Sequence, residues 1–206
     1  MIIQILKKIR KILLPHWTDL WSEVVNIDKS KNGLHMGPGL AKIDNTISID
    51  VNSTIKPDIV WDLNHVPWPI ENNSKDVIIA MNIMEHLDDV SKTMDELHRI
   101  SKPNALINIL VPHFSAASAF ADPTHKSFFS YRTFDYFVTG KKLEKEYGFY
   151  KKIRFELVRA DIHLAPILVY IPFLLFLVRK FPKVWETYLC YILRGDSIFF
   201  QLKVLK

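Results

Sequence analysis

A single cysteine, Cys190, leaves this chain without an internal disulfide and without a thiolate cluster for a structural metal. That usage fits a reducing, cytoplasmic setting. Glycine-rich phosphate cradles are missing as well. Gly37-Pro38-Gly39 comes nearest, but Leu40, Ala41 and Lys42 follow it where G-x-G-x-x-G needs a further glycine. This argues against a pyrophosphate cradle and a nicotinamide enzyme. No P-loop, G-x-S-x-G elbow or zinc-protease motif is present. Internal repeats and low-complexity segments are absent too. The longest apolar run, 164–178, falls short of the roughly 20 residues a membrane span needs, and Pro166 and Pro172 interrupt it. It reads as a buried or interfacial helical insertion. Charge of one sign is in only slight excess: Lys plus Arg is 27, Asp plus Glu is 22, and the net charge is +5. A solvated basic surface accounts for that without a nucleic-acid partner.

What is there suits one α/β domain with an appendage. The length of 206 residues and the 49% apolar content support one sizeable core. Residues 1–31 form an amphipathic N-terminal arm, and 32–206 form the domain, with an apolar insertion at about 161–195. In the arm, Ile2, Ile5, Leu6, Ile9, Ile12 and Leu13 recur at helical spacing, with Lys7, Lys8, Arg10 and Lys11 between them. A secretory signal would separate its charges from one apolar block. A basic amphipathic helix can lie on an anionic membrane or pack on the domain or on a partner chain, and both readings stay open.

Within the domain, strands are expected over 33–36, 46–51, 58–61, 76–81, 105–111 and 197–205. The β-branched alternation of 46–51 reads as a half-buried strand, and the continuous apolar run at 76–81 as one buried on both faces. Leu87, Val90, Met94 and Leu97 recur at helical spacing, with Asp88 and Asp89 at the start and Pro103 beyond the end. Strand, helix and strand in that order imply a right-handed crossover and a doubly wound, mostly parallel sheet.

In such a sheet, ligands bind at the carboxyl ends of the strands, near the switch in strand order. Gly37 and Gly39 follow the first strand, where the backbone can approach a ligand closely. Asp50 ends the second strand, placed to accept hydrogen bonds from two ribose hydroxyls. Asp62 ends the third and can accept from an adenine amino group. Each aspartate alone reads equally as a turn or cap; the glycine turn and both acids in order read as a nucleoside site.

The stretch from Leu34 to about Phe137 resembles the class I S-adenosylmethionine-dependent methyltransferases, particularly the small type 11 group. The marks are the Gly37-Pro38-Gly39 loop, Ser48-Ile49-Asp50-Val51, and Pro57-Asp58-Ile59-Val60-Trp61-Asp62-Leu63. Asp76 through Leu87, ending in Asn82-Ile83-Met84-Glu85-His86-Leu87, and the Glu-Leu-His-Arg-Ile-Ser-Lys-Pro run at 96–103 complete them. The resemblance implies the Rossmann-like methyltransferase fold and S-adenosylmethionine as cofactor. It places Met36, Gly37 and Gly39 under the methionine part, Asp50 on the ribose, and Asp62 with Leu63 at the adenine. Met81 and Asn82 then lie beneath the methyl group, with Glu85 and His86 at the lip toward the acceptor. Two departures stand out. His35 replaces an acidic or amide residue that helps hold the cofactor's amino group, and Pro38 replaces a small residue. The link from Gly39 to the second strand is also too short for a full first helix.

The acceptor side is expected after the fifth strand, in Pro112-His113-Phe114 and Asp122-Pro123-Thr124-His125-Lys126. His113 and His125 are candidate bases, and Phe114, Phe120, Phe128, Phe129 and Tyr131 candidate walls. A packed loop explains the same residues. Their irregular spacing is a poor metal signature, and no metal is assigned. The expected activity is methyl transfer to a small-molecule or lipid-linked acceptor, the latter with peripheral contact at the inner face of the membrane. The alternative is a methyltransferase-fold binding or scaffold protein that has lost catalysis.

Overall fold

The computed structural model describes residue 28 and residues 31–41, 43–150, 152–164 and 172–206. Nearly all of the expected arm, and its amphipathic pattern with it, lies outside these residues.

Among the described residues seven strands form one sheet in the order β3-β2-β1-β4-β5-β7-β6. They are β1 (Gly33–Met36), β2 (Thr46–Asp50), β3 (Ile59–Val60), β4 (Lys75–Met81), β5 (Ser101–Pro112), β6 (Arg154–Leu164) and β7 (Gly195–Leu205). The first five pair in parallel; β7 runs antiparallel to both β5 and β6. The order reverses direction between β1 and β4, so the ligand crevice of a doubly wound sheet opens at their carboxyl ends.

β4 shows why its sequence reads as a continuous apolar run. Ile78 and Ala80 face the main core with Leu34, Met36, Ile107 and Ile109, while Val77, Ile79 and Met81 pack on the other face with Leu110 and Phe199. β2 alternates instead: Ile49 is buried, and Ser48 exchanges hydrogen bonds with Asp58.

Helix α1 (Val90–Ile100) is the crossover between β4 and β5. Asp89 caps it by accepting the Lys92 N–H at 3.0 Å, and Met94, Leu97 and Ile100 enter the core. Leu87 therefore precedes the helix rather than opening it. Pro103 lies within β5, which begins at Ser101, earlier than the apolar run suggests. The proline sits at an irregularity of the β4–β5 ladder, where the register shifts between Lys75 and Val77 and a missing N–H is tolerated. As expected from the short link after Gly39, the described residues between β1 and β2 contain no helix.

Among the described residues four further α-helices follow: α2 (Ser118–Ala121), α3 (Lys142–Tyr147) and the insertion pair α4 (Pro172–Lys180) and α5 (Pro182–Tyr188). The insertion begins later than 161. Residues 161–164 belong to β6, where Ile162 pairs with Ile198 and Leu164 with Gly195. Helices α4 and α5 enclose a small second core of Leu174, Val178, Trp185 and Cys190 against Leu164. No described helix is long and apolar enough to cross a membrane.

Candidate active site

The two glycines that follow β1 both adopt left-handed backbone, with φ of 57° at Gly37 and 53° at Gly39. Gly37 also faces Ile83 so closely that a Cβ there would lie 2.7 Å from Ile83 Cδ1; at Gly39 the same position is open. The Gly37 N–H donates to Ile49 O, and the Trp61 N–H donates to Asp50 O, so Gly37, Asp50 and Trp61 share one level of the sheet edge. Met36 is fully buried in the core, so only its backbone reaches that edge.

Asp50 accepts the Asn52 N–H on Oδ1 at 2.8 Å. Asp62 does the same for Asn64 at 2.9 Å, and its Oδ2 lies 3.1 Å from His65 Nδ1. Each carboxylate is thus oriented by its own turn. Leu63 is buried beside them. Asp62 lies two residues past the short β3 rather than at its end. On the other side of the switch point, Asn82 holds a positive φ of 51° and donates its N–H to Leu110 O. Left-handed backbone is uncommon outside glycine, though asparagine tolerates it better than most residues.

His35 is 2% exposed, and its Nδ1 has no partner. Burial pushes the imidazole down to about 4, so it is neutral at pH 7. It makes no contribution of charge to a ligand. Its folded value lies below the unfolded one, so the unfolded chain takes up the proton first as pH falls. Stability present above pH 6.5 should therefore be lost between about 6.5 and 4, by up to about 3 kcal/mol. Glu85, described below, acts in the opposite direction over part of that range. The expected result is that His35→Phe unfolds with a flatter acid dependence than the parent, measured as urea midpoints at pH 7 and pH 5. Parallel pH profiles for the two proteins would refute it.

A cavity of about 850 Å³ opens next to this edge. Met81, Asn82, Leu110 and Pro112 supply its floor at the ends of β4 and β5; Glu85 and His86 line one side, Asp122, Pro123 and His125 another, and Asp196 and Ser197 close it from the start of β7. Two backbone hydrogen bonds assemble it. The Lys126 and Ser127 N–H groups donate to Glu85 O at 2.7 and 3.2 Å, clamping the Asp122–Lys126 loop onto the turn that carries Glu85. His125 and His86 then meet edge to face, 4.7 Å between ring centres.

Glu85 is 1% exposed, yet neither carboxylate oxygen has a hydrogen-bond partner. Desolvation pushes its pKa up to about 7. A buried carboxylate without a hydrogen-bond partner is costly, and a group so placed in a cavity is a candidate functional residue.

The structure separates His113 from this group. Its ring is fully buried, accepts the Ser115 N–H on Nδ1 at 3.0 Å, and meets Glu186 through Nε2 at 3.2 Å. Glu186 also accepts the Tyr131 N–H. His113 thus fastens the end of β5 to α5 and does not line the cavity with His125 and Glu85, contrary to the placement expected of it. The expected aromatic wall is also absent from the lining. Phe129 is core, while Phe120 and Phe128 are exposed and stack on each other at 4.6 Å. Sequence reading missed Asp196 and Ser197; the only available signal was the polar turn before the last strand.

A seven-stranded sheet with this order, a glycine turn at the switch point, an acid ending the second strand and another just past the third together match the class I S-adenosylmethionine-dependent methyltransferase fold. Residues 10–109, just under half of the chain, match the family model described as a methyltransferase domain. No curated protein matches the chain. Among solved structures it is similar to the SpnF cyclase, with a TM-score of 0.55, 14% identity, and 92% of this chain and 80% of that one covered. It is similar to a coclaurine N-methyltransferase bound to N-methylheliamine and SAH, with a TM-score of 0.54, 12% identity, and 90% and 71% covered. An S-adenosylmethionine-dependent methyltransferase from Mesorhizobium loti matches with a TM-score of 0.50, 10% identity, and 84% and 90% covered. Likeness at these identities establishes the fold.

Proposed function

We propose that the chain transfers the methyl group of S-adenosylmethionine to a small organic acceptor held in the cavity beside the cofactor edge. One observation carries this reading: Met81 and Asn82 belong both to the switch-point edge and to the cavity lining, so one wall serves both ligands. The glycine turn supports the cofactor side, because Gly37 has no room for a side chain.

In this reading the Gly37–Gly39 backbone passes under the methionine part, Asp50 receives the ribose hydroxyls on its second oxygen, and Asp62 with Leu63 borders the adenine. The cofactor supplies a methyl group already activated on a sulfonium. The chain's task is then to hold the acceptor in line and exclude water. Glu85, His86 and His125 form the polar end of the cavity that orients the acceptor, and no triad is required. The neutral His35 contributes no charge near the cofactor's amino group, so affinity rests on the ribose contact.

Loss of a charge-assisted hydrogen bond costs about 1.5–3 kcal/mol. Asp50→Ala should therefore weaken SAH binding by roughly ten- to a hundredfold, read by titration calorimetry. Equal affinity in the variant, or no SAH binding by the parent, would overturn the proposal.

A further inference from the structure

We infer that Glu85, His86 and His125 form a binding site for a divalent transition-metal ion of the zinc class at the polar end of the cavity. One ligand atom from each of these side chains lies within 4.8 Å of the other two. The tautomers follow from the hydrogen bonds. Ala119 O, which can only accept, lies 2.9 Å from His125 Nδ1. Thr124 Oγ1 donates to Asp122 Oδ1 at 2.7 Å, so it accepts from His86 Nδ1 at 2.9 Å. Both rings therefore carry their proton on Nδ1, and the nitrogen each can offer is Nε2, with a lone pair.

Two imidazole lone pairs and, when Glu85 is deprotonated, its carboxylate are three acceptors. Glu85 contributes both oxygens without a partner, from a position 1% exposed. Three converging acceptors repel unless a donor or cation joins them. The outer hydrogen bonds have the form that fixes metal-binding histidines, with the far ring N–H held by an oxygen. Two histidines and a glutamate, with a further position left open, match a catalytic zinc donor set. Imidazole ligands favour this class over magnesium or calcium. Tetrahedral bonds of about 2.0–2.1 Å place ligand atoms roughly 3.4 Å apart. The side chains must therefore close by about 1 Å, and Glu85 breaks no hydrogen bond in doing so. The fourth position faces the cavity, where it can take a hydroxyl, carboxylate or other oxygen of the acceptor. Only that last use rests on the methyl-transfer reading.

Neither histidine–glutamate spacing suggests this set, because Glu85 and His86 are adjacent and His125 arrives from a distant loop. The test is direct. The full chain, stripped with chelator, is titrated with Zn²⁺ by calorimetry and with Co²⁺ by visible absorption, without cofactor. One equivalent should bind, and Co²⁺ should develop the intense bands of four-coordinate geometry. Glu85→Gln and His125→Ala should each weaken binding by at least about a hundredfold. Thr124→Val, at an exposed position, should weaken it by about tenfold or more by releasing the His86 ring. His65→Ala, in an exposed imidazole outside the cavity, should change nothing. Binding weaker than millimolar, or binding that these cavity variants leave unaltered while they remain folded by circular dichroism, would overturn the site. Metal uptake and SAH binding are read separately, so either reading can fail alone.

Discussion

Arg99→Ala should destabilise the chain by about 3–5 kcal/mol, enough to unfold much of a marginal domain. The guanidinium forks onto Glu96, at 2.8 Å from Nε and 2.7 Å from Nη2. It also donates to Trp68 O, Ile70 O and Asn72 Oδ1. Glu96 is buried and accepts the Trp68 N–H as well. Removing the arginine would leave a buried carboxylate uncompensated and free three anchors of the segment before β4. The Glu96 carboxyl is held below its ordinary value by this pairing despite its burial. Urea unfolding at pH 7 is the measurement, and a lowered midpoint with an unchanged slope is the expected result. A loss below about 1 kcal/mol would mean the pair is solvated in solution. Within the Glu-Leu-His-Arg-Ile-Ser-Lys-Pro run, Glu96 and Arg99 carry this anchoring.

Gly37→Ala should lower SAH affinity far more than Gly39→Ala, although the backbone is left-handed at both. At either position an L side chain bears a conformational cost of roughly 1–2 kcal/mol. Only at Gly37 does the added Cβ meet another atom, Ile83 Cδ1 at 2.7 Å. Ile83 precedes the Met84–His86 turn, so relief of the clash moves either the cofactor loop or the turn bearing Glu85. A loss of about a hundredfold is expected at Gly37, against about tenfold at Gly39. The double variant Gly37→Ala, Ile83→Ala should recover part of the difference. Equal losses at the two glycines, or no recovery, would show that contact with Ile83 is not what the glycine avoids.

The sheet was readable wherever one kind of residue filled a strand. β2 announced itself by alternation, β4 and β5 by apolar runs, and β7 by Ile198, Phe200, Leu202 and Val204. β6 did not. Arg154, Glu156, Arg159 and Asp161 interrupt its apolar residues, because it is an edge strand with one ladder partner. Its last residues were consequently placed in the insertion. The switch-point edge was legible because its residues follow their strands at once: Gly37, Asp50 and Asn82 each lie at or next to a strand end. The cavity was only half legible. Glu85 and His86 stood out, but His113 and His125 look alike in sequence. What separates them is Glu186, which claims His113 from 73 residues away, and the backbone of Lys126, which delivers His125 to Glu85. Neither long-range contact leaves a periodic mark.

The hairpin formed by β6 and β7 has a consequence for how such a chain can change. Leu164 leaves the sheet and Gly195 returns to it as ladder partners, so the intervening chain starts and finishes at neighbouring rungs. Lineages can lengthen, shorten or graft that stretch as a cassette, since no other strand must shift register to receive it. Asp196 and Ser197, which border the cavity, sit at the cassette's root. The glycine turn, Asp50 and Asp62 lie across the switch point, at the ends of strands the hairpin never pairs with. In the methyl-transfer reading proposed above, the acceptor side can therefore change while the strands proposed to hold the methyl donor keep their register.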